Sequence, residues 1–167
     1  MKTLFSTVCI IAGLFSMNAQ SIGVRAGADF ATAKADFDGI KISDNETGFY
    51  IGLFTEIQVS ESLDIRPEIN YIAIQDLDQI QVPVLAQFGL SDKFNVAVGP
   101  SFGFLLNTEE GEKSFNFGAA LGLSFDISEN FLIEGRYTLG LSNLVEDNEF
   151  DASLKLSGFQ LGLGYKF

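Results

Sequence analysis

From Gly158 to Phe167 the chain reads G-F-Q-L-G-L-G-Y-K-F, and every second residue is bulky and apolar. In an extended strand successive side chains point to opposite faces. Phe159, Leu161, Leu163, Tyr165 and Phe167 therefore share one face, and Gly158, Gln160, Gly162, Gly164 and Lys166 share the other. A helix would scatter both sets around its circumference. A strand with one greasy face and one small or polar face needs partners for its backbone groups and an apolar medium for its bulky side.

Seven earlier segments carry the same period of two: 22–30, 49–59, 63–71, 79–88, 94–104, 115–126 and 131–142. In 115–126, for example, Phe115, Phe117, Ala119, Leu121, Leu123 and Phe125 alternate with Asn116, Gly118, Ala120, Gly122, Ser124 and Asp126. The connections also alternate. Ser60-Glu61-Ser62, Ser91-Asp92-Lys93 and Ser128-Glu129-Asn130 are tight and polar, whereas 31–48, 107–114 and 143–157 are long. Gln75 to Asp78 is a short exception. Short turns at one end and long loops at the other predict an up-and-down antiparallel barrel, with the short turns in the periplasm.

The medium around that barrel follows from volume. Eight strands enclose room for side chains only. The bulky sets hold most of the 17 Phe, so turning them inward would overfill the lumen and turn charges outward. A lipocalin-type periplasmic barrel fails on this count, although a soluble two-sheet sandwich does not. Aromatic residues decide between them. Phe30, Phe49, Tyr71, Phe104, Phe115 and Phe159 gather near the long-loop ends, and Phe88, Phe94, Phe125, Phe131, Tyr165 and Phe167 near the short turns. Two such rings are the girdles of a transmembrane barrel at its two interfaces. The expectation is an eight-stranded transmembrane β-barrel with a filled polar interior, monomeric, in the outer membrane. Its partners are outer-membrane lipid and lipopolysaccharide, and the barrel-assembly machinery through the C-terminal strand.

Residues 1–19 read as a secretory signal peptide, with Lys2 ahead of an apolar run from Leu4 to Phe15 and Ala19 before the cut. The barrel is then 20–167. Cys9 falls inside the apolar run, so the mature chain has no cysteine and no disulfide framework. Removing Lys2 leaves 9 basic against 22 acidic residues, a net charge of −13, which argues against nucleic acid.

Several landmarks carry a resemblance. They are Arg66-Pro67-Glu68-Ile69-Asn70-Tyr71, Val82-Pro83-Val84-Leu85, Val98-Gly99-Pro100-Ser101-Phe102-Gly103, Arg136-Tyr137-Thr138-Leu139-Gly140-Leu141 and the terminal Phe159 to Phe167. Together they resemble the outer-membrane β-barrel domain common in Bacteroidota, often called PorT-like. The resemblance covers the mature chain and implies architecture; on activity it is nearly silent, beyond a hint of a narrow transport or secretion-accessory role. Pro67, Pro83 and Pro100 each remove a ladder donor, so they mark either bulges or strand ends.

The inward set predicts a charge network of Arg25, Asp29, Glu56, Asp64, Arg66, Glu68, Asp126, Glu134 and Arg136, with Lys166 at the last strand's end. Charges out of water must be paired. Such a network can serve as a gate or as a plug, and the narrow interior favours the plug. Without His or a mature Cys there is no Ser-His-Asp arrangement and no His-based metal site. No enzyme, cofactor or metal is expected. Acids crowd the long connections at Asp36, Asp38, Asp44, Glu46, Glu109, Glu110, Glu112, Glu146, Asp147, Glu149 and Asp151. They suit solvated surface, or cation bridges to lipopolysaccharide, and they lack the ligand spacing of a calcium loop.

Overall fold

The computed structural model describes residues 20–37, 40–75, 77–106, 113–144 and 152–167. The signal segment, the acids of 107–112 and 145–151, Phe150 and Asp38 lie outside these. Eight strands run β1 (Gln20–Phe37), β2 (Ile40–Ser60), β3 (Leu63–Ile74), β4 (Leu77–Gly89), β5 (Phe94–Leu105), β6 (Phe115–Asp126), β7 (Phe131–Gly140) and β8 (Ala152–Lys166). Each pairs antiparallel with its neighbour, and β1 pairs with β8, so the sheet closes into a barrel. Closure leaves no open edge in the apolar zone, as a lipid-spanning sheet requires.

Alternation sets the facing. Along β6 every residue from Phe115 to Phe125 switches between exposed and buried. Ile51, Leu53, Leu121, Leu123, Leu161 and Leu163 stand exposed around the wall, while Gly52, Phe54, Ala120, Gly122 and Gln160 point in. A belt of bare Leu, Ile and Phe this continuous is a solvent-facing liability unless the solvent is lipid. The sandwich and lipocalin readings both need those side chains inside, and the observed exposure removes them.

Two short turns share one device. Ser91 Oγ accepts the Phe94 N–H at 3.2 Å, and Ser128 Oγ accepts the Phe131 N–H at 3.1 Å. A serine three residues ahead of the strand's first aromatic satisfies that backbone donor and fixes the turn. The turn between β2 and β3 instead carries a register shift between Gln58 and Ser60.

Three sequence expectations change. First, 31–48 is not a loop. β1 and β2 stay in register from Ala28–Phe49 out to Phe37–Ile40, and β8 follows β1 to the Phe37–Ala152 pair. Three strands therefore rise beyond the aromatic ring as a blade. At roughly 3.3 Å per residue, the seven residues Ala31–Phe37 lift it about 23 Å. Second, the polarity of the two faces reverses there. Below Phe30 the outer face is apolar; above it Thr32, Lys34 and Asp36 hold the outward positions, and Ala31, Ala33, Leu154 and Leu156 take the inner ones. Water replaces lipid as the outside solvent, and the pattern follows. Third, Pro67, Pro83 and Pro100 lie at neither strand ends nor register breaks. Pairing lapses beside Pro67 and Pro83 and resumes in the same register, from Pro67–Val84 to Asn70–Gln81 and from Pro83–Ser101 to Ala86–Val98.

Candidate functional site: the charged lumen and its mouth

Parity along each strand decides which side chains enter the barrel, and small neighbours decide how much room they find. Arg25 sits opposite Gly52 on one side and Gly164 on the other, and Arg136 sits opposite Gly122. These glycines open the volume that long guanidinium side chains need.

Glu68 is the hub. Arg25 Nη1 approaches it at 2.6 Å, Arg66 Nε at 2.9 Å and Arg136 Nη2 at 2.8 Å. Glu134 takes Arg66 Nη2 at 3.0 Å and Arg136 Nη2 at 3.7 Å, and pairs with Arg25 Nε as well. Two carboxylates thus bridge three arginines. Arg66 also faces Glu56 at 3.9 Å. Amides fill the remaining valences: Arg25 Nη2 donates to Gln160 Oε1 at 3.1 Å, Arg66 Nη1 to Gln87 Oε1 at 3.2 Å, and Asn70 Nδ2 to Glu68 Oε2 at 3.2 Å. Two guanidinium planes lie over rings, Arg25 at 4.5 Å from the Tyr50 centroid and Arg66 at 3.9 Å from that of Phe54. Such stacking suits a planar, weakly hydrated cation.

The other charges stand apart from this hub. Near the short turns Lys166 Nζ bridges Asp126 at 3.0 Å and Glu56 at 3.5 Å, and Asn95 Nδ2 donates to Asp126 Oδ2 at 3.1 Å. Asp64 is partly exposed and joins none of the ion pairs among the described residues. Asp29 is 4% exposed, and its Oδ2 accepts from Gln160 Nε2 at 2.9 Å. No cationic nitrogen reaches it among the described residues; Gln160 relays it to Arg25. Tyr50, Phe54, Asn70, Gln87 and Gln160 complete the cluster, although nothing in their spacing ranks them above other inward residues. Their only signal was parity.

Arginine keeps its proton under ordinary conditions, and both central carboxylates are clamped by several guanidiniums. The arrangement braces the barrel wall to wall.

The aromatic residues form cross-strand pairs at both ends. Phe30–Phe159 centroids lie 6.4 Å apart and Phe104–Phe115 5.4 Å, at the long-loop end. Phe131–Tyr165 at 4.9 Å lies at the short-turn end, where Tyr165 also packs on Phe167 of its own segment at 5.3 Å. Phe49 and Phe94 are exposed singly, and Tyr71 is half-buried.

Close approach leaves several glycines no room for a Cβ, Gly162 among them. A Cβ on Gly162 would collide with the Tyr50 hydroxyl and the Ala26 carbonyl oxygen. The hydroxyl can move; the backbone carbonyl cannot. Gly162→Ala is expected to destabilise the barrel by about 1–3 kcal/mol through overpacking, read as a lower urea midpoint. Gly135→Ala is the control. Its Cβ would meet only the Phe159 ring at 3.6 Å, an ordinary contact, and the midpoint should hold.

Above the charged layer the lumen opens. A small cavity of about 30 Å³ has Asp29, Gln79, Gln81 and Asn116 in its wall. A wider recess of about 240 Å³ continues from it, sharing Ala31, Ile74 and Leu156, and adds Ala33, Asp44 and Glu46.

Comparison with known proteins agrees with this geometry. A family model described as outer membrane protein beta-barrel domain matches residues 72–146. The chain is similar in structure to Ail, the attachment invasion locus protein of Yersinia pestis, at 19% identity and TM-score 0.52, covering 89% of this chain and 97% of that one. It is similar to the outer membrane protein OprG from Pseudomonas aeruginosa at 15% identity and TM-score 0.52, covering 89% and 96%. No curated protein matches. At these identities the two structures speak to fold alone. With the lipid-facing belt and the family-model match beside them, the chain is an eight-stranded outer-membrane β-barrel protein.

Proposed function

We propose that this barrel is a sealed, non-enzymatic scaffold that holds its blade and acidic connections outside the cell. The observation that carries the reading is the layer of Arg25, Arg66, Arg136, Glu68 and Glu134, whose side chains are at most 3% exposed and meet across the lumen. A channel needs a continuous wet path, and this layer fills the bore with paired charge. Closure of every ladder supports a monomer, since no edge in the lipid zone is left to pair. The belt and the aromatic rings are suited to lipid and lipopolysaccharide, and the terminal strand from Phe159 to Phe167 to recognition by the barrel-assembly machinery. The quoted landmarks support a place among the PorT-like barrels of Bacteroidota.

Planar-bilayer recording tests the seal. The reconstituted barrel is expected to leave the membrane silent across about ±100 mV, a field worth roughly 2.3 kcal/mol per charge. Discrete single-channel steps would overturn the plug and favour a narrow transport or secretion-accessory barrel.

A further inference from the structure

Asp29 is a buried carboxylate that feels Arg25 only at a distance, with an amide rather than a cation as its direct partner. It is 4% exposed, one oxygen is held by the Gln160 amide, and no arginine or lysine pairs with it among the described residues. Both carboxylate oxygens lie beside Gly158, and Asp29 lines the 30 Å³ cavity. A space of that size holds a water-sized group, which is also the size of an ammonium. Three amide side chains, Gln79, Gln81 and Asn116, line the same space and can accept hydrogen bonds from it.

The recess above has a different character. Its wall is mainly aliphatic, from Ala31, Ala33, Ile74 and Leu156 with Gln75 beside them, and among the described residues its only charges are the carboxylates of Asp44 and Glu46. Register spaces the three acids along the blade. Asp29 pairs with Gly48, Glu46 with Ala31 and Asp44 with Ala33. At about 3.3 Å per residue, Glu46 lies roughly 7 Å and Asp44 roughly 13 Å above Asp29. The spacing is too wide for one metal ion. It matches cations separated by a few methylenes, with apolar wall between them.

We infer that the mouth of the barrel binds aliphatic diamines and polyamines: one ammonium against Asp29, the methylene chain along Ala31, Ala33, Ile74 and Leu156, and the next ammonium at Glu46 or Asp44. Each part of the ligand meets its chemical complement. The buried ammonium gains a charge-assisted hydrogen bond where water is scarce. The methylenes cover aliphatic surface that faces water at this height. A four- or five-carbon diamine reaches Glu46, and a triamine reaches Asp44. The site lies above the sealed layer, so it does not depend on whether the bore conducts.

Titration calorimetry on the complete mature barrel in lipid nanodiscs tests this, with diaminobutane, diaminopentane and spermidine as probes. Saturable binding of the diamines is expected, with butylamine weaker by about tenfold for the missing second ion pair. Asp29→Asn keeps the shape and the Gln160 hydrogen bond, and should weaken diamines by about tenfold or more. Leu156→Trp fills the recess while leaving every acid in place, and should abolish binding. Should Asp29→Asn lose the heat-modifiable mobility of a folded barrel, Glu46→Gln on the exposed blade replaces it; it should weaken diamines severalfold and leave butylamine unchanged. Equal affinity for diamine and butylamine, or unaltered diamine binding in whichever acid variant folds, overturns the inference.

Discussion

Glu68→Gln should be the most damaging conservative change in the lumen, lowering stability by about 3–5 kcal/mol, the usual penalty for stripping one partner from a buried ion pair. Three guanidiniums converge on Glu68, two of them at 2.6 and 2.8 Å. The amide keeps the shape but removes the charge, leaving Glu134 and the distant Glu56 to face three cations. Urea titration in lipid vesicles, followed by circular dichroism, measures the shift in midpoint. Asp64→Asn is the matched control; it joins no ion pair among the described residues and should move stability by less than about 0.5 kcal/mol. Adding Arg136→Gln to Glu68→Gln removes one of the stranded cations and should restore part of the loss, because the two sites share contacts. A wild-type midpoint for Glu68→Gln would mean that the charged layer does not brace the wall.

The second large effect belongs to the outer face. Leu121 is 55% exposed midway along β6, between Phe115 and Phe125. An arginine there would carry a charge into the middle of the hydrocarbon, at a cost of about 2–4 kcal/mol. Ile127 is equally exposed, at 54%, but lies just past the end of β6. Arginine there should cost only about 0–1 kcal/mol, as expected near the interface. The comparison uses depth as its variable. If Leu121→Arg and Ile127→Arg shifted the vesicle unfolding curve equally, the belt would not be the lipid-contacting surface.

The eight strands were legible because lipid and lumen impose opposite demands on alternate residues. β6 and β7 start where the pattern starts, at Phe115 and Phe131. The ends of β1, β2 and β8 were not legible, for the same reason. Above Phe30 the period of two continues through Thr32, Lys34 and Asp36, but its polarity reverses, so a search for bulky outward residues stops too early. Asp38-Gly39 between the paired Phe37 and Ile40 was a local clue of hairpin type. The seam of prolines misled in another way: Pro67, Pro83 and Pro100 stand inside ladders that tolerate a missing donor without slipping. In the lumen, parity says which charges point inward. It does not say which acid each arginine meets. Arg25 and Glu68 are 43 residues apart and Arg136 and Glu68 are 68 apart, and only the stagger of the closed sheet brings them together.

That stagger also distributes mechanical strength unevenly around the cylinder. The junction between first and last strands zips from Gly23–Lys166 to Phe37–Ala152 without a lapse, through the bilayer and on into water. Prising those strands apart would mean breaking hydrogen bonds in two solvents at once. Across the ring, the β2–β3–β4–β5 wall holds the three prolines, three gaps in pairing and the register shift at Gln58. Sideways strain on the molecule should therefore yield at that wall first, and not along the seam between β1 and β8.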